Sequence, residues 1–155
     1  LLSQANQIRV VDFGLVTSLP TEVSRRLTSS EMLLGTPQYM APEQCLNPQD
    51  ASVAADVYSL GCVLRFLLIG RPPYAHESLH DTLRAHLDAP IPRLGSFRSD
   101  IPPWLERTHS KMLRKHPNDR WSSMDTLIAA LDMKETQRTE QPRKPWLKNL
   151  MLQLT

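Results

Sequence analysis

The chain holds 155 residues, enough for about one domain with its own core. Its 41% hydrophobic and 22% charged content is ordinary for a globular protein, and a formal net charge of +2 is too mild to argue for a nucleic-acid partner. Cys45 and Cys62 form no metal-type spacing, no stretch reads as a signal peptide, and no apolar run reaches the roughly 18 residues of a membrane span.

Ile8-Arg9-Val10-Val11 is a short β-like run that enters Asp12-Phe13-Gly14. Residues 15 to 34 lack sustained periodicity and read as a polar loop, rich in Ser and Thr. The clearest helix is expected over 54–69, with Asp56 in its first turn, Gly70 ending it and Pro72-Pro73 beyond. Val57, Leu60, Cys62, Val63, Leu64, Phe66, Leu67, Leu68 and Ile69 cover almost every face, which predicts a helix in the middle of a core. A second helix is expected over 77–87, stopped by Pro90 and Pro92. A third starts at Pro103, suited to a first turn, and carries Leu105, Met112 and Leu113. A fourth is expected over 122–131, capped by Ser122, with Met124, Leu127, Ile128 and Leu131 as its buried stripe. Thirteen prolines punctuate the chain and mark turns between helices. From Lys134 the composition turns polar and basic, as in a linker. The apolar stretch Trp146 to Leu154 reads as a short docking helix or frayed end, with the start of a membrane anchor as the alternative.

Motifs in a fixed order carry more information than composition. Asp12-Phe13-Gly14 is followed by Gly35-Thr36-Pro37-Gln38-Tyr39-Met40-Ala41-Pro42-Glu43, then by Asp56-Val57-Tyr58-Ser59-Leu60-Gly61, Gly70-Arg71-Pro72-Pro73-Tyr74 and His116-Pro117-Asn118-Asp119-Arg120. A D-F-G tripeptide alone recurs by chance, but D-F-G followed by A-P-E brackets the activation segment of a protein kinase. Over roughly residues 1 to 133 the chain resembles the eukaryotic-like Ser/Thr protein kinases, and their bacterial branch in particular. The resemblance implies a mainly α fold, the C-terminal helical lobe of the kinase-like fold, which is α+β when intact. It divides the chain into an activation segment (12–43), a helical subdomain (44–133) and a linker with a short apolar end (134–155).

The resemblance also implies site residues. Asp12 would hold Mg²⁺ against the phosphates of ATP, Phe13 would set whether Asp12 points inward, and Gly14 would let the backbone turn. Thr36 would lie in the substrate-facing loop with its hydroxyl touching the catalytic machinery, and Gly35-Thr36 favours Ser/Thr over Tyr specificity. Glu43 would pair with Arg120, and Asp56 would anchor the catalytic-loop backbone, although a carboxylate in a first helical turn is favourable without any such role. Thr28, Ser29 and Ser30 would be phosphorylation sites, with Arg25 and Arg26 as nearby partners. The implied partners are protein substrates and an N-terminal kinase half, with no nucleic acid. The implied location is the cytoplasm, or the cytoplasmic side of a membrane if the C-terminal segment continues into an anchor.

Two readings compete. His76-Glu77-Ser78-Leu79-His80 is a literal H-E-x-x-H, and His86 falls where a metzincin keeps its third zinc ligand. Leu83 replaces the glycine that would break the helix there, so on a continuous helix His86 points away from the other two and exposed histidines are expected instead. The second competitor is a non-catalytic, kinase-like binding module. The family's H-R-D-x-x-x-x-N loop and Gly-rich loop precede D-F-G, and eleven residues precede Asp12, so these 155 residues alone are expected to be inactive.

Overall fold

The computed structural model describes residues 36–47, 50 and 52–136, with side chains described through 132. The described residues contain five α-helices, here α1 (Pro42–Leu46), α2 (Val53–Ile69), α3 (Leu79–Asp88), α4 (Pro103–Met112) and α5 (Met124–Thr136), and three single 3₁₀ turns at Pro37–Tyr39, Leu94–Ser96 and Pro117–Asp119. They contain no strand, in keeping with the mainly α, helical-lobe fold that the resemblance implies. The β-like run at Ile8–Val11, the loop over 15–34 and the segment beyond 136 lie outside the described residues.

Local signals place the ends of α2. Ser52 is extended, and its hydroxyl accepts from the Ala55 N–H at 3.2 Å, which satisfies one of the unpaired donors of the first turn. At the other end Gly70 adopts φ +82°, a left-handed conformation that side chains resist, and its N–H donates to the Phe66 carbonyl at 2.7 Å. Ser78 caps α3 by accepting from the Asp81 N–H, so that helix begins two residues later than its expected start. Ser123, not Ser122, caps α5: its hydroxyl accepts from the Thr126 N–H at 3.2 Å. The helix then continues to Thr136 instead of ending near Leu131.

Three clusters of buried side chains surround α2, and α2 contributes to each. Ala41, Ala55, Tyr58, Cys62 and Leu113 form the first; Val57, Met112 and Leu127 the second; Leu68, Leu94 and Leu105 the third. The approach of α2 to α4 depends on Gly61. A Cβ there would stand 2.9 Å from Met112 Cβ and 3.0 Å from Leu113 Cδ2, closer than packed carbons tolerate. The apolar faces of α2 are covered only in part. Leu60, Val63 and Phe66 are 43%, 38% and 44% exposed, so one flank of the helix is open. On α5 the buried stripe narrows to Leu127, with Met124 and Leu131 half-buried and Ile128 exposed.

Candidate functional site

The described site is the loop that runs from Thr36 into α1, held from below by groups distant in sequence. Thr36 is exposed and extended, and its carbonyl accepts from the Tyr39 N–H at 3.0 Å. The Pro37–Tyr39 turn closes through the Met40 N–H onto the Pro37 carbonyl. Ser59 on α2 donates to the Tyr39 carbonyl at 2.7 Å, which fastens the loop to the central helix. Ala41 is wholly buried, and its N–H donates to Gln44 Oε1 at 3.2 Å. Pro42, fitted to a first helical turn, then starts α1 and sets Glu43 at the helix N-terminus, where a carboxylate is favoured.

Glu43 and Arg120 meet across 77 positions of sequence in a fork, with Nη1 to Oε1 and Nη2 to Oε2 both at 2.7 Å. The Arg120 side chain is 0% exposed and that of Glu43 15%. Every guanidinium N–H is used. Nε donates to the Arg114 carbonyl at 2.7 Å, Nη1 also to Ala54 at 2.8 Å, and Nη2 also to Lys115 at 2.9 Å. Burying a cation is costly unless its donors are satisfied, and here one side chain ties α1, the start of α2 and the connection from α4 to α5. The Arg120 guanidinium also lies 4.9 Å from the centre of the Tyr58 ring.

A second support was not anticipated. His86 on α3 is fully buried rather than exposed, and its Nδ1 lies 2.9 Å from the Tyr58 hydroxyl. Tyr74 meets the imidazole edge-on at 5.0 Å. Burial, reinforced by the nearby Lys115 ammonium, lowers the His86 pKa to about 4, so the ring is neutral at pH 7. The Pro37 and Gln38 carbonyls pull the other way, although Nε2 completes no hydrogen bond. On that basis the Nε2–H tautomer is assigned, with Nδ1 accepting from Tyr58. Lys115 spends its three protons on the Ala85 and His86 carbonyls and the Tyr74 hydroxyl, at 3.0, 2.8 and 3.1 Å, and burial lowers its pKa to about 8. Burial also raises the Cys62 thiol to about 12 and the Cys45 thiol to about 11, which makes both poor nucleophiles. Tyr58 and Tyr74 belong to kinase-like motifs readable in the sequence, whereas Lys115 belongs to none and His86 only to the zinc-like pattern.

The remaining expected residues are dispersed. Asp56 is exposed in the first turn of α2, with its N–H on the Ser52 carbonyl. Asp12, Phe13, Gly14, Thr28, Ser29 and Ser30 lie outside the described residues. The zinc pattern does not assemble. His76 and Glu77 precede α3 rather than sharing a helical face with His80, His80 is exposed beside Asp81, and His86 is committed to Tyr58. Among the described residues no group of three or more His, Cys, Asp or Glu side chains could hold a metal ion.

The described loop and its ties sit within a wider similarity. The model of the protein kinase domain matches residues 1–131. The chain is 34% identical over 130 residues to the serine/threonine-protein kinase PknH of Mycobacterium tuberculosis, a match covering 84% of this chain and 20% of that protein. It is 32% identical over 132 residues to PknB of Mycolicibacterium smegmatis, covering 84% and 21%, and 34% identical over 143 residues to PknD of M. tuberculosis, covering 91% and 21%. The chain thus spans about a fifth of the length of the curated relatives it matches. With the loop from Thr36 to Glu43 tied to Arg120 beneath it, and the kinase-domain match running from residue 1 to 131, the chain belongs to the protein kinase domain family and resembles its bacterial Ser/Thr members.

Proposed function

We propose that these residues form the substrate-facing helical part of a Ser/Thr protein kinase, which transfers the γ-phosphate of ATP to Ser and Thr hydroxyls of protein substrates in the cytoplasm. The observation that carries the reading is the Glu43–Arg120 fork, because it pins the end of the activation segment while leaving Thr36 exposed above it. Thr36 would lie in the substrate-facing loop and touch the catalytic machinery through its hydroxyl. Asp56 would receive hydrogen bonds from the catalytic-loop backbone, and Thr28, Ser29 or Ser30 would take the activating phosphate. Binding of Mg²⁺ with ATP would fall to a residue outside the described ones. Asp12 would take that role, with Phe13 and Gly14 setting its orientation. Among the described residues, no helix is long and apolar enough to cross a membrane.

Positioning ATP and the acceptor also needs a Gly-rich loop and an H-R-D loop, which these 155 residues do not contain. The test is reconstitution. The chain is expected to phosphorylate no generic Ser/Thr substrate alone. It should gain activity when co-expressed with an upstream kinase half supplying those loops, lose it with Asp12→Asn, and lose most of it with Thr36→Val. Robust activity of the chain alone sinks the reading. So does a reconstituted, folded assembly that stays inactive, which would leave the helical unit as a binding module.

A further inference from the structure

An open groove of about 490 Å³ is lined by Arg93, Glu106, Arg107, Ser110, Lys111, Arg114 and Asp119, and none of these residues serves the loop from Thr36 to Glu43 through its side chain. Arg107, Ser110 and Lys111 share one face of α4, since they lie three and four positions apart. Arg114 follows in the turn after the helix, Arg93 arrives from the connection before it, and Asp119 from the turn at Pro117–Asp119.

The groove has a cationic surplus. Four cations face two carboxylates, and one of those, Glu106, already accepts from the Leu94 and Gly95 N–H groups at 3.1 and 2.7 Å. Arg93, Arg107 and Arg114 are exposed and make no ion pair among the described residues, while Lys111 rests over the Trp121 ring at 4.0 Å. The whole chain carries a formal charge of only +2, so this clustering is local and does not reflect general basicity.

We propose that this groove docks a protein segment carrying phosphorylated Ser or Thr. Guanidinium groups match the oxygens of a phosphate in forked pairs, and several cations are needed to offset a group of charge near −2. The lining offers no apolar side chain for a lipid surface and no ring for stacking bases, which disfavours a membrane or single-stranded nucleic acid. The reading does not rest on catalysis, so its failure is separable from failure of the kinase assignment.

The test is fluorescence anisotropy with the full chain. The probes are a labelled peptide with two phosphoserines, its unphosphorylated twin and a labelled RNA duplex. The phosphopeptide is expected to bind best, more weakly as salt rises. Arg107→Glu with Arg114→Glu should weaken it about tenfold or more. Arg84→Glu, on α3 outside the groove, should leave it unchanged. If circular dichroism shows the reversed pair unfolded, Arg107→Gln with Arg114→Gln replaces it. Equal binding of the two peptides, or indifference to the groove variants, overturns the proposal. RNA binding in preference, lost with the same arginines, overturns it in favour of a nucleic-acid surface.

Discussion

Replacing Glu43 by Ala strips one side of the fork and leaves the other buried. Arg120 would keep three bonds, to the carbonyls of Ala54, Arg114 and Lys115, but lose both carboxylate contacts at 2.7 Å. Two N–H donors and an uncompensated positive charge would remain on a side chain with no solvent access. Removing one partner of a buried pair costs about 3–5 kcal/mol, whereas an exposed pair is worth about 0–1 kcal/mol. Because Glu43 retains 15% exposure, water can enter part of the gap and the lower end, about 3 kcal/mol, is expected. That is a large share of the roughly 5–15 kcal/mol that holds a domain together. In a urea titration followed by circular dichroism, a slope of about 2 kcal/mol per M turns it into a midpoint drop of roughly 1.5 M. Glu43→Gln retains one acceptor and should fall between. A drop in Glu43→Ala corresponding to less than about 0.5 kcal/mol would show that the pair behaves as a surface contact and refute its role as the anchor of the loop.

Three further outcomes follow from the packing. Burial lowers His86 and His109 from 6.5 to about 4 in the folded state, so between those values the unfolded chain takes up the protons and stability falls as pH drops from about 6.5 to about 4. Urea midpoints measured from pH 7.5 to 4 should show this slope, and His86→Gln should flatten it; an unchanged slope contradicts the burial argument. Gly61→Ala forces a methyl group against Met112 Cβ at 2.9 Å and should cost about 1–3 kcal/mol in thermal unfolding, a cost absent if α2 and α4 can slide apart. Leu60, Val63 and Phe66 present apolar surface that would favour association, so the chain should bind a hydrophobic dye and self-associate in size-exclusion chromatography. Leu60→Glu with Phe66→Glu should reduce both, and a clean monomer that ignores the dye would mean this flank finds cover.

Residue order by itself determined where the helices lie and which residues would converge. Serine, proline and glycine act within a few positions: Gly70 ends α2, Pro103 starts α4, and the Ser52 cap follows the same local chemistry. The signal was less sharp where two such residues compete, so the cap of α5 moved from Ser122 to Ser123, and α3 began at Leu79 behind Ser78. Glu43 and Arg120 were legible as partners because each sits in a motif with its own neighbours, not because spacing could join positions 77 apart. Tertiary structure decided the rest, because burial is a property of pairs of segments and not of a run. Arg65 looks like a surface charge within an apolar helix, yet it is 2% exposed under the Phe97 ring. Leu60 and Phe66 look like core residues on the same helix, yet they face outward. His86 sits in a pattern that suggests zinc, and only the meeting of α3 with Tyr58 and Tyr74 makes it a buried, neutral support beneath the loop.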